Sequence, residues 1–124
     1  MTGRMLLRRP GYDIDVERVL AACAKRRVGV EINAISYRLD LDWRWHGRAL
    51  ELGCMMSTNP DAHSTEELDL TRWGVVMARK GGIPPQRVLN CLCLEEVLVF
   101  LAERRERMLT RGRKRKRVSS RLAK

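Results

Sequence analysis

Asp61-Ala62-His63 is the stretch whose residue types suit chemistry best. An Asp and a His two residues apart in extended chain point to the same side, and both are ordinary ligands for Zn²⁺, Mn²⁺ or Fe. Alone, the pair also fits a surface turn with an aspartate cap. Glu31-Ile32-Asn33 is the second candidate. If Val28, Val30 and Ile32 face helices, Glu31 and Asn33 face the other way, where a charge needs a metal, an arginine or a hydrogen-bond donor. The alternative is a solvated Glu31 on an edge strand. Arg38, in Tyr37-Arg38-Leu39-Asp40-Leu41-Asp42, suits a phosphate clamp or an ion pair with Asp40 or Asp42. His46, beside Arg44 and Arg48, reads as a surface histidine. Trp43, Trp45 and Trp73 suit either base stacking or helix packing. There is no P-loop, no GxGxxG and no GxSxG, and no Cys–His pairing suggests a nucleophile.

The elements that must carry these residues follow from periodicity. Asp15 can cap a helix over about 16–27, where Val16, Val19, Leu20 and Cys23 share a face. Val28 to Ala34 alternates as a strand. Trp43 to Leu52 reads as a second helix ended by Gly53, and Cys54 to Thr58 as a short second strand. Such a unit makes parallel strands. The D-x-H motif then lies just past the C-terminal end of a strand, where ligands of βα folds collect. Ser64 and Glu67 form a capping-box pattern before a helix over 68–80. Pro84-Pro85 opens a short helical turn through Leu89, and a last helix runs from about Leu94 to Arg107. Two parallel strands with about five helical segments cannot close a sheet, and their outer edges should be unpaired. The pattern is that of a slice of a larger βα architecture.

Charge divides the 124 residues in two. Lys+Arg total 25 against 15 Asp+Glu, a net charge of +10. Residues 1–103 hold 14 of each sign, so the whole excess lies in the last 21. The body spans 1–109. The tail, 110–124, reads as a disordered or helix-extending segment, with Arg111, Arg113, Lys114, Arg115, Lys116 and Arg117 suited to nucleic-acid phosphates. No apolar run approaches the ~20 residues of a membrane-spanning helix, and the start, MTGRMLLRRPGYD, does not read as a signal peptide. Cys23, Cys54, Cys91 and Cys93 lack zinc-site spacing and suit free thiols in a reducing cytoplasm.

Several stretches together resemble one family. Thr2-Gly3-Arg4, LLRRPGYDIDVERVLAACA, VEINAISYRLDLDWRWHGRALELG, NPDAHSTEELDLTRWGVVMARKGG and VLNCLCLEEVLVFL are similar, in order and spacing, to the end of the PHP (polymerase and histidinol phosphatase) domain. The version concerned sits at the C-terminus of bacterial and archaeal family X DNA polymerases. The likeness covers about residues 2–105.

The resemblance implies an α/β fold: a partial β/α barrel, the C-terminal βα units of a distorted TIM-like barrel, with a basic C-terminal tail. It implies divalent metals (Mn²⁺, Zn²⁺ or Mg²⁺) at the strand ends and phosphoester hydrolysis. In the polymerase version this is 3′→5′ exonuclease or 3′-end processing of DNA in repair. It puts Asp61 and His63 among the metal ligands, Glu31 and Asn33 behind them as orienting residues, and Arg4 and Arg38 near substrate phosphate.

The family also needs an H-x-H and further His and Asp/Glu ligands on earlier strands, whereas the only histidines here are His46 and His63. A His-Pro precedes the family's Thr-Gly-Arg, and Met1 stands here in the Pro position. A full β/α barrel takes ~200–250 residues. The chain is therefore expected to be a fragment, inactive alone. Two other readings stand beside this one. The chain is a non-catalytic nucleic-acid binder acting through its tail, or a half-barrel completed by a separately encoded N-terminal PHP/polymerase half.

Overall fold

A computed structural model describes the backbone of residues 1–122 and the side chains of residues 1–110. The chain forms two units, Met1–Leu92 and Cys93–Lys124. The first contains α1 (Val16–Arg26), β1 (Val30–Asn33), α2 (His46–Glu51), β2 (Met56–Asn59) and α3 (Thr71–Lys80). Short 3₁₀ turns cover Trp43–Trp45, Glu66–Leu70, Pro85–Arg87 and Leu89–Cys91. The second unit contains α4 (Leu94–Leu122), which takes in the basic tail as backbone. The side chains of Arg111, Arg113, Lys114, Arg115, Lys116 and Arg117 lie outside the described residues. On α4, Leu94, Leu98 and Leu101 are exposed.

Local sequence explains most boundaries. The Asp15 carboxylate accepts Arg18 N–H at 2.9 Å and so caps α1. Gly53 ends the second helix with φ +87°, a conformation costly for other residues. The expected helix over Trp43–Leu52 begins as a 3₁₀ turn. So does the expected helix after the Ser64/Glu67 capping pattern, where α-geometry starts only at Thr71. The second strand is shifted by one to two residues from 54–58 to Met56–Asn59, because it pairs in parallel with β1 as Val30↔Met56 through Asn33↔Asn59.

One face of this sheet is apolar and one is polar. Val30, Ile32 and Ala34 alternate with Glu31 and Asn33, and Met56 and Thr58 with Ser57 and Asn59. The apolar face joins Val16 and Leu20 of α1, Leu41, Ala49 of α2, Cys54 and Ala78 of α3 in one core. Helix α3 lies close on it at Gly74, where a Cβ would fall 3.0 Å from Ala34 Cβ and closer still to Thr58 Cγ2.

The sheet's outer edges are not unpaired, as the sequence led us to expect. On β1, Asn33 N–H donates to Asp40 O at 2.5 Å, and Leu41 N–H donates to Glu31 O at 3.3 Å. On β2, the Asn90 carboxamide accepts Thr58 N–H at 2.8 Å and donates to Thr58 O at 3.1 Å, doing the work of a third strand's peptide group. Val88 bridges Met56 beside it.

His46 is a second correction. It is fully buried rather than on the surface, because α2 turns it inward where its Nε2–H donates to Leu41 O at 3.2 Å. Gly81, at the end of α3, leaves room for its ring. Burial pushes the imidazole pKa below its ordinary 6.5, against the pull of Leu41 O.

Gly74→Ala should lower stability by about 1–3 kcal/mol, because the methyl group must push α3 off the sheet. A drop in Tm read by circular dichroism checks it, and an unchanged Tm refutes the close approach. The depressed His46 pKa makes the unfolded state bind the extra proton as pH falls below about 6.5. Stability should therefore be full above that pH and decline as pH falls toward the folded-state value. Melting curves at pH 7.5 and 5.5 should show this decline in the native chain and less of it in His46→Gln.

Candidate functional site

The polar face of the sheet carries the candidate residues. Glu31, Asn33, Ser57 and Asn59 lie on it in paired register. Asn59 Nδ2–H donates to Glu31 Oε1 at 2.9 Å and lies 3.2 Å from Ser57 Oγ. Asn33 is 7% exposed and works in two directions. Its Oδ1 accepts Ile35 N–H at 3.2 Å, an Asx turn that reverses the chain after β1. Its Nδ2–H donates to Asp61 Oδ2 at 3.0 Å. Asp61 itself has φ +56°, a left-handed conformation that Asp tolerates better than most residues. The sheet thus holds the Asp61 carboxylate at the C-terminal end of its two strands, with one oxygen engaged from below.

His63 is less constrained. Its N–H donates to Glu67 Oε2 at 2.6 Å, and its Nδ1 lies 3.8 Å from the same oxygen. The side chain is 74% exposed. Glu67, read in the sequence as half of a capping box, instead fixes the turn that carries His63. Among the described residues no group of three or more His, Cys, Asp and Glu side chains is arranged to hold a metal ion. Asp61 and His63 supply two suitable donors, and the described residues do not by themselves fit a complete metal centre.

The arginines are placed differently from one another. Arg4 is committed to its own fold. Nε–H donates to Arg38 O at 2.9 Å, Nη2 to Leu39 O and Nη1 to Asp42. Arg38 makes neither of the ion pairs open to it in sequence, because Asp40 and Asp42 are taken by others. Asp40, almost fully buried, accepts the N-terminal ammonium at 2.8 Å, Thr2 N–H at 2.6 Å, Thr2 Oγ1 at 3.0 Å and Gly3 N–H at 3.2 Å. Burial alone would raise its pKa, but the ammonium and Thr2 outweigh it and the carboxyl lies below its ordinary value. Asp42 accepts Arg44 Nε at 3.0 Å and Nη2 at 2.9 Å as well as Arg4. Hydrogen bonding to Arg44, against the penalty of burial and with Arg4 adding to it, holds Asp42 well below the usual carboxylate range.

Trp45 packs against the core. Trp43 lies under Lys80 Nζ at 4.7 Å and Trp73 under the Arg72 guanidinium at 5.4 Å, both partly exposed. Sequence reasoning missed Asn59. Its only signal was register: once the two strands align, it falls opposite Asn33.

No protein-family model matches the chain. Over 100 residues, 81% of its length, it is 40% identical to the DNA polymerase/3′-5′ exonuclease PolX of Bacillus subtilis (strain 168). It spans 18% of that protein's length. The polar sheet end, with Asp61 fixed on Asn33, therefore belongs to a chain related in sequence to part of PolX.

Proposed function

We propose that the chain is the C-terminal portion of a PHP-type phosphoesterase domain, a partial β/α barrel from the 3′→5′ exonuclease module of a PolX protein acting on DNA in repair. The observation that carries this reading is the Asn33–Asp61 hydrogen bond at the C-terminal end of two parallel strands, on the face away from the helices. A β/α barrel arms that strand end, and its helices cover the opposite face. The 40% identity to a DNA polymerase/3′-5′ exonuclease supports the same assignment.

In this reading Asp61 and His63 are two donors to a divalent metal centre whose other ligands lie outside the chain. Bound there, such a metal would supply Lewis-acid activation of a phosphoester. This chain's part is to orient Asp61 through Asn33, to tie Glu31 to Asn59, and to hold His63 through Glu67. Two donors leave the centre incomplete, so the chain alone is not an active hydrolase. Completion by strand addition at the sheet would have to displace Asp40 and Leu41 from β1 or Asn90 from β2.

Purified chain with Mn²⁺ should release no nucleotide from a 3′-labelled oligonucleotide. Release that is lost in Asp61→Ala would show that the centre is complete and refute this part of the reading. The codon just upstream of Met1 should encode His in frame, with an H-x-H earlier. An extended chain that includes them should acquire Mn²⁺-dependent 3′ hydrolysis, and its failure to do so with both motifs present would reject the assignment.

A further inference from the structure

The N-terminal segment bears a basic concavity on the opposite side of the ledger from the tail: it belongs to the charge-neutral body. Residues 5–9 form a tight hairpin in which Met5 N–H donates to Arg9 O at 3.1 Å and Arg9 N–H returns to Met5 O at 2.9 Å. Leu6 N–H pins it to Tyr37 O at 2.7 Å. The hairpin and Arg44 enclose an open concavity of about 510 Å³, lined by Arg4, Arg8, Arg9 and Arg44 with Leu6 and Leu7. None of the residues lining it is acidic.

These arginines differ in availability. Arg4 is spent on the loop beneath. Arg44 is held in place by Asp42 from behind, yet its side chain is 74% exposed. Among the described residues Arg8 and Arg9 have no acidic partner, and both are exposed. Leu7 is fully exposed at the hairpin tip, with φ +60°. A hairpin that displays two unpaired guanidinium groups and a bare leucine gains nothing for the core. Guanidinium forks match phosphate oxygens, and a leucine beside them offers contact to sugar or base.

We propose that this concavity binds the phosphate backbone of a single-stranded DNA segment, with Arg8 and Arg9 as the phosphate contacts and Arg44 as a fixed third charge. The proposal rests on the phosphoesterase reading for the identity of the polyanion. It assigns the grip to residues that the resemblance did not name. Arg4, by contrast, shapes the surface from behind as a positioning residue.

The test is metal-free binding of a fluorescein-labelled single-stranded oligonucleotide to the full chain, by anisotropy in EDTA across a salt series. The Arg8→Gln/Arg9→Gln variant is compared with Arg18→Gln/Arg26→Gln, which removes the same charge from α1. Both alter exposed side chains, and a melting curve on each confirms the fold. On a single strand each lost phosphate contact lowers the salt slope by about 0.7. The hairpin pair should therefore lower it by about 1.4, while the α1 pair barely changes it. An equal effect of both pairs would mean diffuse attraction and would overturn the site. No effect of either would leave binding to the tail and would overturn it too. Asp61→Ala should leave this binding unchanged. Since no metal or hydrolysis enters the assay, a failure of the hydrolase assignment shows in the nuclease experiment and not here.

Discussion

One guanidinium organises the body of the chain. Arg4 donates to two successive carbonyls, Arg38 O and Leu39 O, and to the Asp42 carboxylate. Three part-buried acceptors in one loop would otherwise need water or each other. The planar fork satisfies all three at once and so sets the loop's shape. From that loop the rest is hung. Asp40 O and Leu41 N–H close the edge of β1, Leu41 O receives the buried His46, and Asp42 caps the 3₁₀ turn that leads into α2. The Asp40 carboxylate ties back to Thr2 and Gly3. Strand edge, core histidine and helix start share one determinant that lies more than thirty residues away in sequence.

This explains what could be read beforehand. The Asp15 cap, the alternation through Val30, Ile32 and Asn33, and the stop at Gly53 are local, and local rules found them. The edge closures are not local. Asn90 completes β2 from a 3₁₀ turn thirty-two residues on, with nothing in Leu89-Asn90-Cys91 to announce it. His46 read as a surface residue because its neighbours Arg44 and Arg48 are surface residues. The short helix α2 buries His46 and Ala49 while Arg48 stays partly exposed, so neighbours in sequence do not report burial.

The candidate site shows the same division. Asp61 and Asn33 were both legible as residue types, one from a D-x-H motif and one from strand alternation. Their hydrogen bond depends on the parallel pairing of β1 with β2, which brings the end of one strand beside the loop after the other. Glu31 lies on the polar face but stays exposed, its carboxylate accepting from Asn59. Carboxamides therefore mediate the contacts on this face. An amide can donate to a carboxylate without neutralising it, which leaves the remaining lone pairs of Asp61 and Glu31 available to a cation.

Net charge is the datum most easily over-read here. Summed over residues 1–103 the charges cancel, and all of the excess lies beyond them. Cancellation in a sum is not cancellation in space. Asp40 and Asp42 are buried or half-buried beneath the loop, consumed by the N-terminus, Arg4 and Arg44, while Arg8 and Arg9 stand exposed above it. The acids are drawn inward as structural acceptors and the arginines are left facing water. The field outside that face is accordingly more positive than the count of residues implies. Any polyanion meets the arrangement of charges rather than their total, so a neutral body and a basic tail are two separate opportunities for phosphate, distinguished by geometry alone.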